Sequence, residues 1–206
     1  MTYLPNDQAN RTAILDALDA MAEATRKSGS DQDVAVILVS SHGEMFDRQF
    51  YLIPYGFDAS SLNAATGSAV SASDFAKKVD SIAKHGRVLL LLDTCHSGAI
   101  GAGSWATDPD AKVLQDAMDL ENVAVLTSSK KTVLSQELPG LRHGAFTQAF
   151  LTALSGAADP QGQGVIRLSA LTDAMDVELQ RLTKGMKPQH LGQHVNFGGD
   201  LFIVNR

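Results

Sequence analysis

The chain holds one cysteine and six histidines. Cys95 lies in Asp93-Thr94-Cys95-His96-Ser97-Gly98, directly behind an apolar run at 87–92 (RVLLLL). His42 lies in Ser40-Ser41-His42-Gly43, directly behind another at 34–39 (VAVILV). A thiol and an imidazole together can cleave an acyl bond. A free thiol ionises at about pH 8.5, so little thiolate exists at neutral pH without help. A nearby imidazole takes the proton as sulfur attacks and returns it to the leaving amine. Gly43 and Gly98 let backbone approach a substrate closely. The backbone N–H groups of Gly43 and Cys95 are candidates for an oxyanion hole, where one donor contributes about 3–4 kcal/mol. A lone cysteine behind a buried strand is more often a small core residue. The joint pattern sets this one apart. Each motif follows an apolar strand, in the order His then Cys, with an acid two residues before the cysteine.

The two groups are 53 positions apart, so the fold has to bring them together. The runs at 34–39 and 123–126 (VAVL) are uniformly apolar, as is 87–92 after Arg87, which predicts strands covered on both faces. A short strand at 50–53 ends at Pro54, and 201–204 (LFIV) closes the chain as a strand. Amphipathic helices lie between them. Asn6-Asp7 offers an N-cap for a helix at about 7–28, with Ile14, Leu15, Leu18, Met21 and Ala22 at helical spacing and Gly29 behind it. Ser71 or Ser73 caps a second helix through Lys84, with Phe75, Val79 and Ile82 on one face and Gly86 at its end. A third helix spans 144–154, and Ser169 caps a fourth that runs to about Lys184. Segments 98–110 and 128–142 read as loops, and no internal repeat is visible. This alternation predicts an α/β fold with a largely parallel sheet. In such sheets functional groups gather beyond the carboxyl ends of strands. If the strands before His42 and Cys95 are parallel neighbours, both side chains emerge at one edge of the sheet.

Composition narrows the function classes. The 206 residues, 44% hydrophobic and 19% charged, suit one soluble domain of good size. A net charge of −6 argues against nucleic acid as the main partner, because such binding rests on a basic face. The Lys77-Lys78 and Lys130-Lys131 pairs read as solvated surface. One cysteine rules out an intrachain disulfide and fits a reducing compartment. The first residues lack the basic, apolar and small-residue pattern of a secretory leader. The apolar runs at 34–39 and 88–92 are far too short to cross a bilayer. The expectation is a cytoplasmic protein without a membrane or nucleic-acid partner.

Other candidate groups carry less. His96 adjoins Cys95, and neighbouring side chains on extended backbone point apart. His143 precedes a helix start near the site, and His85 falls in a helix-ending turn. His190 and His194 are spaced i, i+4, but Pro188 and Gly192 oppose a helix there and no third ligand is evident, so no metal is expected. The segment 159–164 (DPQGQG) faintly echoes a calcium loop. Glutamines at its third and fifth positions, with Ala170 at the twelfth, leave too few carboxylates.

SSHG followed by DTCHSG closely resembles the caspase, metacaspase and paracaspase superfamily, which has a histidine about 50 residues upstream of the cysteine. YLIPYGFD, VAVLTSS and HGAFTQAFLTALSGAAD are similar to the same family's core, so the resemblance runs from about Ala9 to Leu182. DTCHSG, rather than Gln-Ala before the cysteine, resembles the metacaspase and bacterial caspase-homologue branch. Ser41 departs from the pattern, where that family often has Gly.

The resemblance implies a caspase-like three-layer sandwich in one domain over 1–206, large-subunit-like to about 110 and small-subunit-like from about 120. It implies a cysteine endopeptidase with His42 and Cys95 as its dyad and a protein or peptide as substrate. It places Asp93 and Ser40 in the S1 pocket. A carboxylate there pairs with a basic P1 side chain and repels an acidic one. Zymogens of this type are often cut beyond the cysteine segment, which makes Lys112, Lys130 and Lys131 candidate self-cleavage sites. Some metacaspases require calcium, and the sequence leaves that open. The resemblance also implies two strands ahead of the first helix, and the expectation is that this chain starts after them, as a fragment, a processed product or one component of a larger assembly. The strand at 34–39 would then lack a neighbour on one side, to be supplied by another segment or chain. The rival readings are a same-clan peptidase cleaving after Asp, and a non-catalytic homologue acting as scaffold or activator.

Overall fold

The structure, a computed structural model, describes residues 1–47, 49–96, 120–127, 144–184, 191–196 and 202–204. For residues 94–96, 192 and 202–204 that description covers backbone only. Helix α1 (Arg11–Ser28) leads into β1 (Val34–Phe46) and β2 (Gln49–Ile53). Next come α2 (Leu62–Ser68), β3 (Val70–Ser71), α3 (Ala72–Ala83), β4 (Arg87–His96) and β5 (Val123–Thr127). The remainder comprises α4 (Ala145–Thr152), β6 (Val165–Arg167), α5 (Leu168–Leu182), β7 (Gly192–Asn196) and β8 (Phe202–Val204).

The six-stranded sheet has the order β3-β2-β1-β4-β5-β7. Its centre is parallel: β1 pairs with β4, and β4 with β5. The parallel character ends there, since β2, β3 and β7 join antiparallel. β6 and β8 form a separate two-stranded ribbon.

Alternation along β4 builds a core on each side of the sheet. Val88, Leu90 and Leu92 face Leu18 of α1 and Phe75, Val79 and Ile82 of α3. Leu89 and Leu91 face Phe146, Ala149 and Phe150 of α4 and Leu171, Met175 and Leu179 of α5. This is why residues 88–92 have no polar position to spare. Each fully buried leucine contributes about 1.5–3 kcal/mol.

β1 departs from the expectation that its apolar run is covered on both faces. Ala35 and Ile37 are buried under α1 and α3, but Val36 is 37% exposed and Leu38 40%. The cause is the lateral reach of the second helical layer among the described residues: α4 and α5 cover β4 and β5, and on β1 only Val34 packs against that cluster. The edge of β1 is also unevenly used. β2 pairs with it only from His42 to Phe46. Among the described residues, positions 34–41 have a ladder partner in β4 alone, and no element of residues 1–33 joins them.

Two helix starts also differ from expectation. Residues 6–8 form a separate 3-10 turn, and the cap of α1 is Asn10, whose side chain accepts the Ala13 N–H at 3.0 Å. Such a cap contributes about 1 kcal/mol. At the other end Gly29 turns left-handed (φ 68°), which suits glycine. α5 begins at Leu168 with Arg167 as N-cap and no capping side chain, so Ser169 lies inside the helix. There β6 runs straight into α5, and the buried Leu168 anchors the join. Ser71, not Ser73, caps α3 through the Asp74 N–H.

Candidate active site

The parallel register of β1 and β4 pairs Ser40 with Asp93, Ser41 with Thr94, His42 with Cys95, and Gly43 with His96. Neighbouring strands lie about 4.8 Å apart, so positions 42 and 95 are immediate neighbours. Paired positions in a parallel ladder share a sheet face. That face is the one carrying Leu89 and Leu91, and on β1 it carries Val36, Leu38, Ser40 and His42. His42 is exposed there. The thiol of Cys95 and the side chain of His96 lie outside the described residues, as do Gly98, Lys112, Lys130, Lys131, His143 and His190.

The residues around His42 fix its strand. Ser41 Oγ donates to the Ile53 carbonyl oxygen at 2.7 Å, which ties β1 to β2 beside the histidine. The hydroxyl that departs from the family's glycine thus has a structural use. Gly43 is buried, and a Cβ there would collide with the Phe50 ring. Packing from β2 favours glycine at 43, since any larger residue would have to displace the Phe50 ring, a reason the sequence did not reveal. Gly43 also pairs with Leu52 across one edge and His96 across the other.

Asp93 and Ser40 sit opposite one another one step below the dyad positions. Ser40 is exposed, whereas Asp93 is only 5% exposed. Thr147 Oγ1 donates to Asp93 Oδ2 at 2.9 Å. Gly144, the N-cap of α4, lies against the same oxygen, and a Cβ added there would sit 2.9 Å from Oδ2. A carboxylate can be buried only with donors around it, and α4 supplies one. Sequence reasoning missed Thr147. Its one signal was a hydroxyl beside the apolar face of Phe146, Ala149 and Phe150, a buried position that demands an acceptor.

The discounted groups lie elsewhere. His85 is exposed in the turn after α3, where its backbone N–H donates to the Ile82 carbonyl. His194 is exposed on strand β7, opposite Val125. Asp159 accepts the N–H groups of Gln163 at 2.9 Å and Gly164 at 2.7 Å, which gives its carboxylate a turn to close. Among the described residues no three His, Cys, Asp or Glu side chains gather as a metal site. Among them, too, no helix is long and apolar enough to cross a membrane.

Comparison with known proteins agrees with this architecture. The family model described as the caspase domain matches residues 3–190. The crystal structure of a Geobacter sulfurreducens protein superposes with a TM-score of 0.61 at 16% identity, covering 100% of this chain and 83% of that one. Caspase-1 from Spodoptera frugiperda superposes with a TM-score of 0.51 at 13% identity, covering 90% and 68%. At these identities the likeness is one of fold. No curated protein matches by sequence.

Proposed function

This chain belongs to the caspase-domain family, a family of cysteine peptidases, and on that premise we propose that it is an endopeptidase working through a Cys95–His42 dyad. The observation that carries the proposal is the register that sets position 42 beside position 95 at the carboxyl end of parallel strands. In the proposed reaction His42 takes the thiol proton as Cys95 sulfur attacks the scissile carbonyl. The C–N bond then breaks, and His42 returns the proton to the leaving amine. Water, deprotonated by His42, attacks the thioester; the acid leaves and the thiol is restored. The N–H groups of Gly43 and Cys95 are the proposed oxyanion donors.

The proposed P1 residue is Arg or Lys. Asp93 supplies negative charge two residues before Cys95, and Ser40 faces it across the ladder with its hydroxyl. Lys112, Lys130 and Lys131 would then fit the enzyme's own specificity as sites of self-cleavage. For the open edge at 34–41 the proposed partner is an extended segment of this or another polypeptide. A lone cysteine fits the proposed cytoplasmic location.

The test is turnover of paired reporter peptides that differ only at P1. Cleavage after Arg or Lys should exceed cleavage after Asp by at least about a hundredfold, the scale of one buried charge pair made or opposed. Faster cleavage after Asp would refute the specificity. No Cys95-dependent cleavage of any peptide would favour a scaffold.

A further inference from the structure

Resting on the reading of Asp93 as an S1 residue, we propose that Thr147 is a positioning residue for P1 recognition, its hydroxyl holding the Asp93 carboxylate in the plane that a guanidinium needs. Threonine in a helix usually turns its hydroxyl back onto the helix itself. Thr25, Thr66, Thr172 and Thr183 do so, donating to the carbonyls of Met21, Leu62, Ser169 and Leu179. Thr152 and Thr147 instead donate to distant side chains: Thr152 meets Glu178 at 3.4 Å in a part-buried contact, whereas Thr147 reaches a residue 54 positions away at 2.9 Å with both partners buried.

The last torsion of an aspartate is broad, so its rotamer alone does not fix the carboxylate plane. A donor anchored in a helix does. Bidentate pairing with arginine is sensitive to that plane. A carboxylate has about four acceptor sites, and the Thr147 hydroxyl occupies one of them. Gly144 makes the approach possible, because any Cβ at the N-cap of α4 would press on Oδ2. The specificity pocket is thereby assembled from both halves of the chain: the tip of β4 carries the charge and the first turn of α4 orients it.

The experiment compares wild type, Thr147→Val, Thr147→Ser and Asp93→Asn on peptides with P1 Arg or Lys. Active sites are counted by the amount of a peptidyl chloromethyl ketone needed to abolish turnover, which leaves any inactive or unfolded fraction out of the count. Thr147→Val should raise KM for the Arg peptide about tenfold, the scale of one hydrogen bond to a charged group, with kcat within about threefold. The Arg-over-Lys preference should shrink, since Lys pairs without the planar fork. Thr147→Ser should restore both. Thr147→Ala, the better helix former, carries the same test should the valine variant not fold. A fall in thermal stability with KM and the Arg-over-Lys ratio unmoved would overturn the inference, leaving the hydroxyl as a tie between layers. If Asp93→Asn keeps full preference for basic P1, the S1 reading itself fails, and the role of Thr147 with it.

Discussion

β1 and β4 begin alike and are used differently. Both carry an unbroken apolar run, at 34–39 and 88–92, and both hold a residue of the proposed dyad a few positions beyond it. β4 is sealed between two helical layers, with Val88, Leu89 and Leu91 at 0% exposure. β1 has one sealed face, while the other presents Val36 and Leu38 and then Ser40 and His42. An apolar run therefore reports that a strand can be buried, while the reach of the helices decides whether it is. The contrast suits the chemistry. A strand open on one face leaves the His42 end accessible, and a strand locked in the core holds the backbone of Cys95 in register.

Substitutions can break this comparison. The larger effect is expected at Leu91→Ala, which leaves a cavity between β4 and the α4–α5 layer and should cost about 2–5 kcal/mol in denaturant unfolding. The same change at Leu38, which is 40% exposed, should cost under about 1 kcal/mol. Equal losses at the two sites would mean that the open face of β1 is covered in solution. That result would sharpen the comparison by pointing to the segment proposed for its edge.

Much of the fold was legible because its signals are local. The central strands, the helices at 72–83 and 145–152, and the glycine after α1 follow from apolar periodicity and caps. The parallel pairing behind His42 and Cys95 followed from strand–helix alternation. The rest depends on relations between distant segments. Helix α2 has almost no apolar stripe, only Ser61 accepting the Ala64 N–H, and so gave little signal. β7 carries Gly192, Gln193 and His194, and β5 defines it as a strand by pairing with it. Asn10 took the cap from Asn6 because Pro5 and residues 6–8 form their own turn. Around the site, Gly43 was read as room for substrate, yet packing against the Phe50 ring favours it. Thr147 was invisible as a functional residue because its partner lies 54 positions away.

The central claim is that β1 and β4 deliver an imidazole and a thiol to one place, and the alkylation rate of Cys95 as a function of pH tests it most directly. Wild type and His42→Ala are treated with iodoacetamide from pH 5 to 10. The account predicts a substantial neutral-pH rate in wild type that depends on His42. In His42→Ala the profile should collapse to the single rise near pH 8.5, about that of an unassisted thiol. Superimposable profiles for the two proteins would contradict it, because a cysteine indifferent to His42 shares no site with it.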